Sequence, residues 1–227
     1  MSLKYPVGSG GGDYEPIPAG SHIAVCDIVA DLGLQPGSGL YPNPKNQVFI
    51  RFELPNERIE FEKDGKKQTG PAVIGKIYTA SMNEKANLRH HLESWRGKAF
   101  TDEQAASFDI DTVLGKPCMI TVMHTKKGDK TYANIVGVGP IPKGINAKTI
   151  IPEITPVLYT PESTKQTYAL LPEWIRKKID GQIIKETRNV EAQQTGNKLD
   201  DGTYITDADL PPNWDDADAA DDQSVPF

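Results

Sequence analysis

The stretch Gln47-Val48-Phe49-Ile50-Arg51-Phe52-Glu53-Leu54 alternates without a break. Val48, Ile50, Phe52 and Leu54 make an apolar face while Gln47, Phe49, Arg51 and Glu53 point the other way, the two-residue period of a half-buried β-strand. Such a strand needs partners, and the flanking sequence supplies them. Upstream, Ser21 to Leu32 reads as a first strand. Its alternation is imperfect because Ile23, Val25 and Val29 share a face with Asp27, which predicts a long, bent or partly exposed strand. Between the two, Gly33 to Asn46 holds three Gly and three Pro and reads as a projecting loop. Downstream, Pro55 stops the run, Arg58 to Glu62 adds an edge segment, and Asp64-Gly65-Lys66-Lys67 is a charged turn of the kind that joins antiparallel strands. A third strand follows at Ala72 to Thr79, with Val73, Ile77 and Thr79 on its core face and Ile74, Lys76 and Tyr78 on the other; Gly75 marks a bulge or a close backbone approach.

Ser81-Met82-Asn83-Glu84 has capping-box spacing and predicts a helix whose Leu88, Leu92 and Trp95 lay one stripe on the sheet, ended by Gly97. Thr101-Asp102-Glu103-Gln104 repeats the signal before a short helix finished by Phe108 and Asp109. Gly115-Lys116-Pro117 turns the chain back into two strands, Cys118 to His124 and Lys130 to Val138, joined by the basic hairpin loop Lys126-Lys127-Gly128-Asp129. The order strand, strand, strand, helix, strand, strand predicts a mainly β domain, a five-stranded OB-fold barrel over residues 21–140 with a helix between strands three and four. A small α+β domain is the alternative, and too few strand-helix alternations exist for a parallel doubly wound sheet. Residues 1–20, rich in Gly and Pro, read as a flexible arm. After Pro140, residues 141–188 carry prolines that break regular elements and read as an extended strap wrapping the barrel, with a helix at Pro172 to Ile179, whose Trp174 and Ile179 dock either on the barrel or on a second subunit. Residues 189–227 lack apolar periodicity and are expected to be a disordered acidic tail.

The chain has 227 residues and a formal charge of -6, but the charge is uneven. Residues 1–190 carry 24 bases and 21 acids, whereas residues 191–227 carry one base and ten acids. A body of +3 and a tail of -9 are different objects. No run of about 18 apolar residues occurs and no apolar segment follows Lys4, so neither a membrane span nor a secretory signal is expected. The expected location is the cytoplasm. Cys26 and Cys118 lie in apolar runs and read as buried free thiols. His22, Cys26, Cys118 and His124 have spacings that neighbouring strands could converge, yet paired CxxC knuckles are missing, so no metal or other cofactor is expected. No G-x-S-x-G, H-E-x-x-H or phosphate-binding Lys-Ser/Thr motif occurs, and no enzyme is read; a nuclease is the least implausible one.

The final stretch, Asp215 to Phe227, sets acids ahead of Val225, Pro226 and Phe227. Acids steer toward a cationic surface, Pro226 restricts the backbone, and Phe227 adds an apolar anchor with a terminal charge. The ending Asp221-Asp222-Gln223-Ser224-Val225-Pro226-Phe227 resembles the acidic tip of bacterial single-stranded DNA-binding proteins, although Gln223 and Ser224 interrupt the acids. The stretches Ser21 to Asp27, Thr79 to Leu88 and Trp95 to Phe100 resemble a group of phage-encoded single-stranded DNA-binding proteins. That resemblance implies an OB fold, binding of single-stranded DNA without strong sequence preference in phage replication or recombination, a bacterial host cytoplasm, and recruitment of replication or recombination proteins through Asp221, Asp222, Val225, Pro226 and Phe227.

Independently, single-strand binders need cations for phosphates and flat rings for bases. The non-core positions supply Phe49 with Arg51, Lys76 with Tyr78, and Lys130 with Tyr132, three aromatic-basic pairs for one track. Lys126 and Lys127, with Lys66 and Lys67, would clamp the backbone. A register slip of one residue would turn Phe49 and Tyr132 into core. Two other readings stay open: an RNA-binding OB protein, and a protein-binding adaptor with a solubilising tail. The sequence leaves homo-oligomerisation open.

Overall fold

In the computed structural model, which describes residues 16–37, 42–63 and 66–183, the central strand is β1 (Gly20–Gln35), flanked by β2 (Lys45–Lys63) and β4 (Pro117–Lys127). β3 (Lys66–Thr79) lies outside β2 and β5 (Lys130–Gly139) outside β4, giving the antiparallel order β3-β2-β1-β4-β5. α1 (Asn87–Arg96) and α2 (Asp102–Ala106) fall between β3 and β4, with a 3-10 turn at Ile110–Val113. The strap adds β6 (Val157–Tyr159), α3 (Lys165–Ala169) and α4 (Glu173–Asp180). This is a five-stranded antiparallel sheet curled into a half-barrel with a helix between its third and fourth strands, an OB-like topology.

The barrel does not close, which corrects the expectation of a complete one. β3 and β5 approach one another without forming a ladder. The Lys76 ammonium, whose backbone pairs with Ile50, reaches across and donates to the Ile135 carbonyl at 2.9 Å. α1 packs on both β5 and β3. Its Trp95 ring meets Phe52 with centroids 5.7 Å apart, and its indole N–H donates to the Pro117 carbonyl at 2.9 Å.

The main core fills the inside of the half-barrel. Val48, Ile50, Phe52 and Leu54 all face it, as their alternation predicts. On β1 the pattern breaks because the register against β2 shifts between Cys26 and Ile28. That bulge sends Ala24 and Cys26 inward, then Ile28, Ala30 and Leu32 to the opposite face. Gly75 shows no register shift; a Cβ there would meet the Phe49 ring at 2.3 Å, so it is the close backbone approach. α1 begins later than expected, at Asn87, and Ser81 is not its cap: the Ser81 hydroxyl accepts from the Asn83 N–H in the preceding turn. Thr101 does form a reciprocal capping box with Gln104, and Gly97 ends α1 with φ of 69°.

The strap covers the outer face of β1 and β2. β6 pairs in parallel with Ile28 to Ala30, and Leu171, Ile175 and Ile179 complete a second core cluster with Leu32 and Phe49. Trp174 docks on this barrel, edge-on to Phe49 at 5.1 Å. Glu53, fully buried, pins the strap: its two carboxylate oxygens accept the backbone N–H groups of Glu153 and Ile154, each at 2.8 Å. Burial holds its carboxyl above the ordinary value, against the pull of those two hydrogen bonds. Among the described residues, no helix is long and apolar enough to cross a membrane.

Candidate nucleic-acid interface

The register places two hairpins at one end of the sheet. Gly20 pairs with Val122, and β4 continues five residues further, to Lys127. β2 also outruns the start of β1: Glu53 pairs with Val25, and His22 Nδ1 lies 2.9 Å from the Glu57 carboxylate. The hairpins β2–β3 and β4–β5 therefore both project beyond Gly20. The segment before β1 runs between them, with the Ile17 carbonyl 2.8 Å from His124 Nε2 and the Pro18 carbonyl 2.7 Å from His22 Nε2.

The two tips differ in charge. Glu60 to Lys67 contains three acids and three lysines, whereas Lys126 to Lys130 contains three lysines and one acid. In β4–β5, Lys127 pairs with Lys130 across a two-residue turn whose Gly128 has φ of 62°. The chain from Met123 to Thr131 is exposed throughout its described side chains, and Tyr132 is half-buried beside it. Thr125 pairs with Tyr132 and Met123 with Asn134, so these four share one ribbon face, which the Asn134 amide ties by donating to the Thr125 hydroxyl at 2.7 Å. Met123, 55% exposed, and Val136, 46% exposed, add apolar surface. A basic, two-faced ribbon with a half-exposed ring can hold phosphates by charge and a base by stacking.

The expected site residues divide sharply. Lys66, Lys67, Lys126, Lys127 and Lys130 are exposed on the hairpins. Phe49 and Arg51 do face away from the main core, but that face is not a surface. Phe49 is 1% exposed beneath Trp174, and the Arg51 guanidinium is buried against Asp27, donating to its carboxylate at 2.6 Å. Tyr78 and Lys76 sit on the other face from the one expected, because β3 aligns Tyr78 with Val48, Lys76 with Ile50 and Ile74 with Phe52. Tyr78 is thus core, and Lys76 spans the barrel slot. A track of three aromatic-basic pairs is therefore not assembled; Lys130 with Tyr132 is the pair left at the surface. Asp221, Asp222, Val225, Pro226 and Phe227 lie outside the described residues.

Two features escaped sequence reasoning. The strap docks on the barrel through Trp174 and Ile179, one of the two expected alternatives, but that it buries the β1–β2 face, Phe49 included, was not foreseen. The ribbon's apolar members, Met123 and Val136, read as ordinary strand residues. Compared with protein-family models, with curated proteins and with solved structures, the chain matches none.

Proposed function

We propose that this protein binds single-stranded DNA without strong sequence preference, with the β4–β5 ribbon as its principal contact and the β2–β3 hairpin beside it. The observation that carries the reading is the ribbon: Lys126, Lys127 and Lys130 exposed around Tyr132 on a two-stranded extension solvated on both faces. Long lysine side chains at an exposed tip meet phosphates of any sequence, while one ring accepts any base. In this reading the chain serves phage replication or recombination, and Asp221, Asp222, Val225, Pro226 and Phe227 recruit partner proteins, as the resemblance implies. No bond is made or broken.

With Phe49, Arg51 and Tyr78 inside the protein, the reading assigns most affinity to phosphates. Titration of oligo-dT, duplex DNA and single-stranded RNA at two salt concentrations tests it. The expected order places oligo-dT first, with affinity falling steeply as salt rises. Reversing the three ribbon lysines to Glu should weaken binding and flatten that salt dependence, leaving only what Lys66 and Lys67 supply, and Tyr132→Ala should cost about 1–3 kcal/mol of binding, the scale of one stacked base. Affinity for oligo-dT unchanged by the triple reversal defeats the assignment, and an equal or stronger preference for RNA moves the function to RNA.

A further inference from the structure

At the other end of β4 from the ribbon tip, an open cleft of about 470 Å³ lies between α1, the 3-10 turn and the start of the strap. Leu92, Trp95, Phe100, Phe108, Val113 and Ile141 line it. Its rings are already arranged: Phe100 and Phe108 stand edge to face, 5.0 Å apart, and the Trp95 indole N–H is satisfied by Pro117. Arg96 and Lys116 are also in the lining, and both are exposed. The Arg96 guanidinium stacks over Phe100 at 4.2 Å from the ring centroid. Among the described residues neither cation is ion-paired: Glu93 and Asp102, the acids nearest Arg96 in sequence, both pair with Arg89, and neither they nor Asp111, nearest Lys116, are in the lining.

An apolar slot with two exposed cations in its lining fits a peptide that carries an aromatic anchor behind acids. This chain contains one. Asp221 and Asp222 precede Val225-Pro226-Phe227, and the segment belongs to a stretch of ten acids and one base. Reach does not limit the contact. An extended residue spans about 3.3 Å, so the residues between Ile183 and Asp222 can cross the domain several times over. Covalent connection also raises the effective concentration of a weakly binding segment to about the millimolar range.

We infer that the segment Asp221–Phe227 docks in this cleft of its own chain, Phe227 among the rings and the aspartates against Arg96 and Lys116. The inference does not depend on nucleic-acid binding. It separates the docking place from the ribbon: β4 runs from Pro117, at the cleft, to Lys127, at the ribbon tip. Docking there shelters an apolar anchor while leaving the ribbon lysines open. A partner protein presenting a better pocket would take the segment from the cleft.

The test uses the full chain. Cys26 and Cys118 are buried, so a nitroxide attached to Ser224→Cys labels that site alone. Paramagnetic broadening should remove the signals of the Trp95 indole and of the amides around Phe100 to Val113, and leave those of Lys126 to Lys130. Adding Phe227→Ala, or separately Arg96→Glu, should restore them. Broadening centred on Lys126 to Lys130, or broadening at neither place, overturns the inference. So does broadening at the cleft that appears between separately labelled copies and not within one chain, since that would be a contact between molecules.

Discussion

Tyr78 and His91 meet where β3 passes under α1, with the Tyr78 hydroxyl 2.9 Å from His91 Nδ1 and the rings edge to face at 5.5 Å. Burial pushes the Tyr78 hydroxyl up, so it keeps its proton and donates. His91 Nδ1 must then be the acceptor, which requires a neutral ring. Burial, with the nearby charges of Lys76 and His90, holds His91 down at about 4 rather than the ordinary 6.5, against a hydrogen bond with the Val136 backbone. Between those two values the unfolded chain binds the proton and the native chain does not. Stability therefore rises with pH through this window and is lost as pH falls from about 6.5 to 4, by up to about 3 kcal/mol. Following the His91 ring signals against pH checks this, and an inflection in the ordinary histidine range would remove the contribution. The same residue shows where sequence reading stops. Val73 and Ile77 make as good an apolar face as Ile74 and Tyr78, so alternation alone cannot choose between them; pairing of Tyr78 with Val48 and of Ile74 with Phe52 does.

Among the elements, β2 was the most legible because its two faces differ in polarity over eight residues. What alternation could not show is whether the second face meets water. Phe49 and Arg51 do point away from the main core, but the strap, 100 residues downstream of Glu53 where it is pinned, covers Phe49, and Arg51 is buried against Asp27. Non-local coverage of this kind leaves no period in β2 itself. The pin gives the strap a testable hold. Glu53→Gln keeps the shape but offers one acceptor oxygen for the N–H groups of Glu153 and Ile154, and turns an amide donor toward the other. The expected loss is about 1–3 kcal/mol, the cost of one unsatisfied buried donor. Denaturant unfolding should register it, together with faster hydrogen exchange at Glu153 and Ile154. Unchanged exchange at both amides would show that β6 pairing and α4 packing hold the strap without the pin. Hairpin β4–β5 teaches the converse: its basic loop was readable from Lys126-Lys127-Gly128-Asp129, but its reach beyond the sheet follows from the start of β1 at Gly20, a partner strand far away in sequence.

Across the whole molecule, the net charge of -6 conceals a body of +3 and a tail of -9. If the ribbon binds phosphates, the tail repels the same strand and competes for the same lysines through space. If Asp221–Phe227 is seated at the cleft end of β4, that competition is a field and not a plug. The two differ in what removes them. Replacing Asp215, Asp216, Asp218, Asp221 and Asp222 by Asn in the full chain weakens a field, and affinity for oligo-dT should rise several-fold at low salt. The gain should come mainly from faster association and should shrink once salt shortens the screening length, which is already about 10 Å at 0.1 M. Phe227→Ala removes the anchor but leaves those aspartates, so under the field account it changes DNA affinity little. Stopped-flow association and equilibrium titration on the two variants separate the cases. Equal gains from both variants would mean that Phe227 holds the tail on the ribbon itself, and no gain from neutralising the aspartates would leave the tail without a part in nucleic-acid binding.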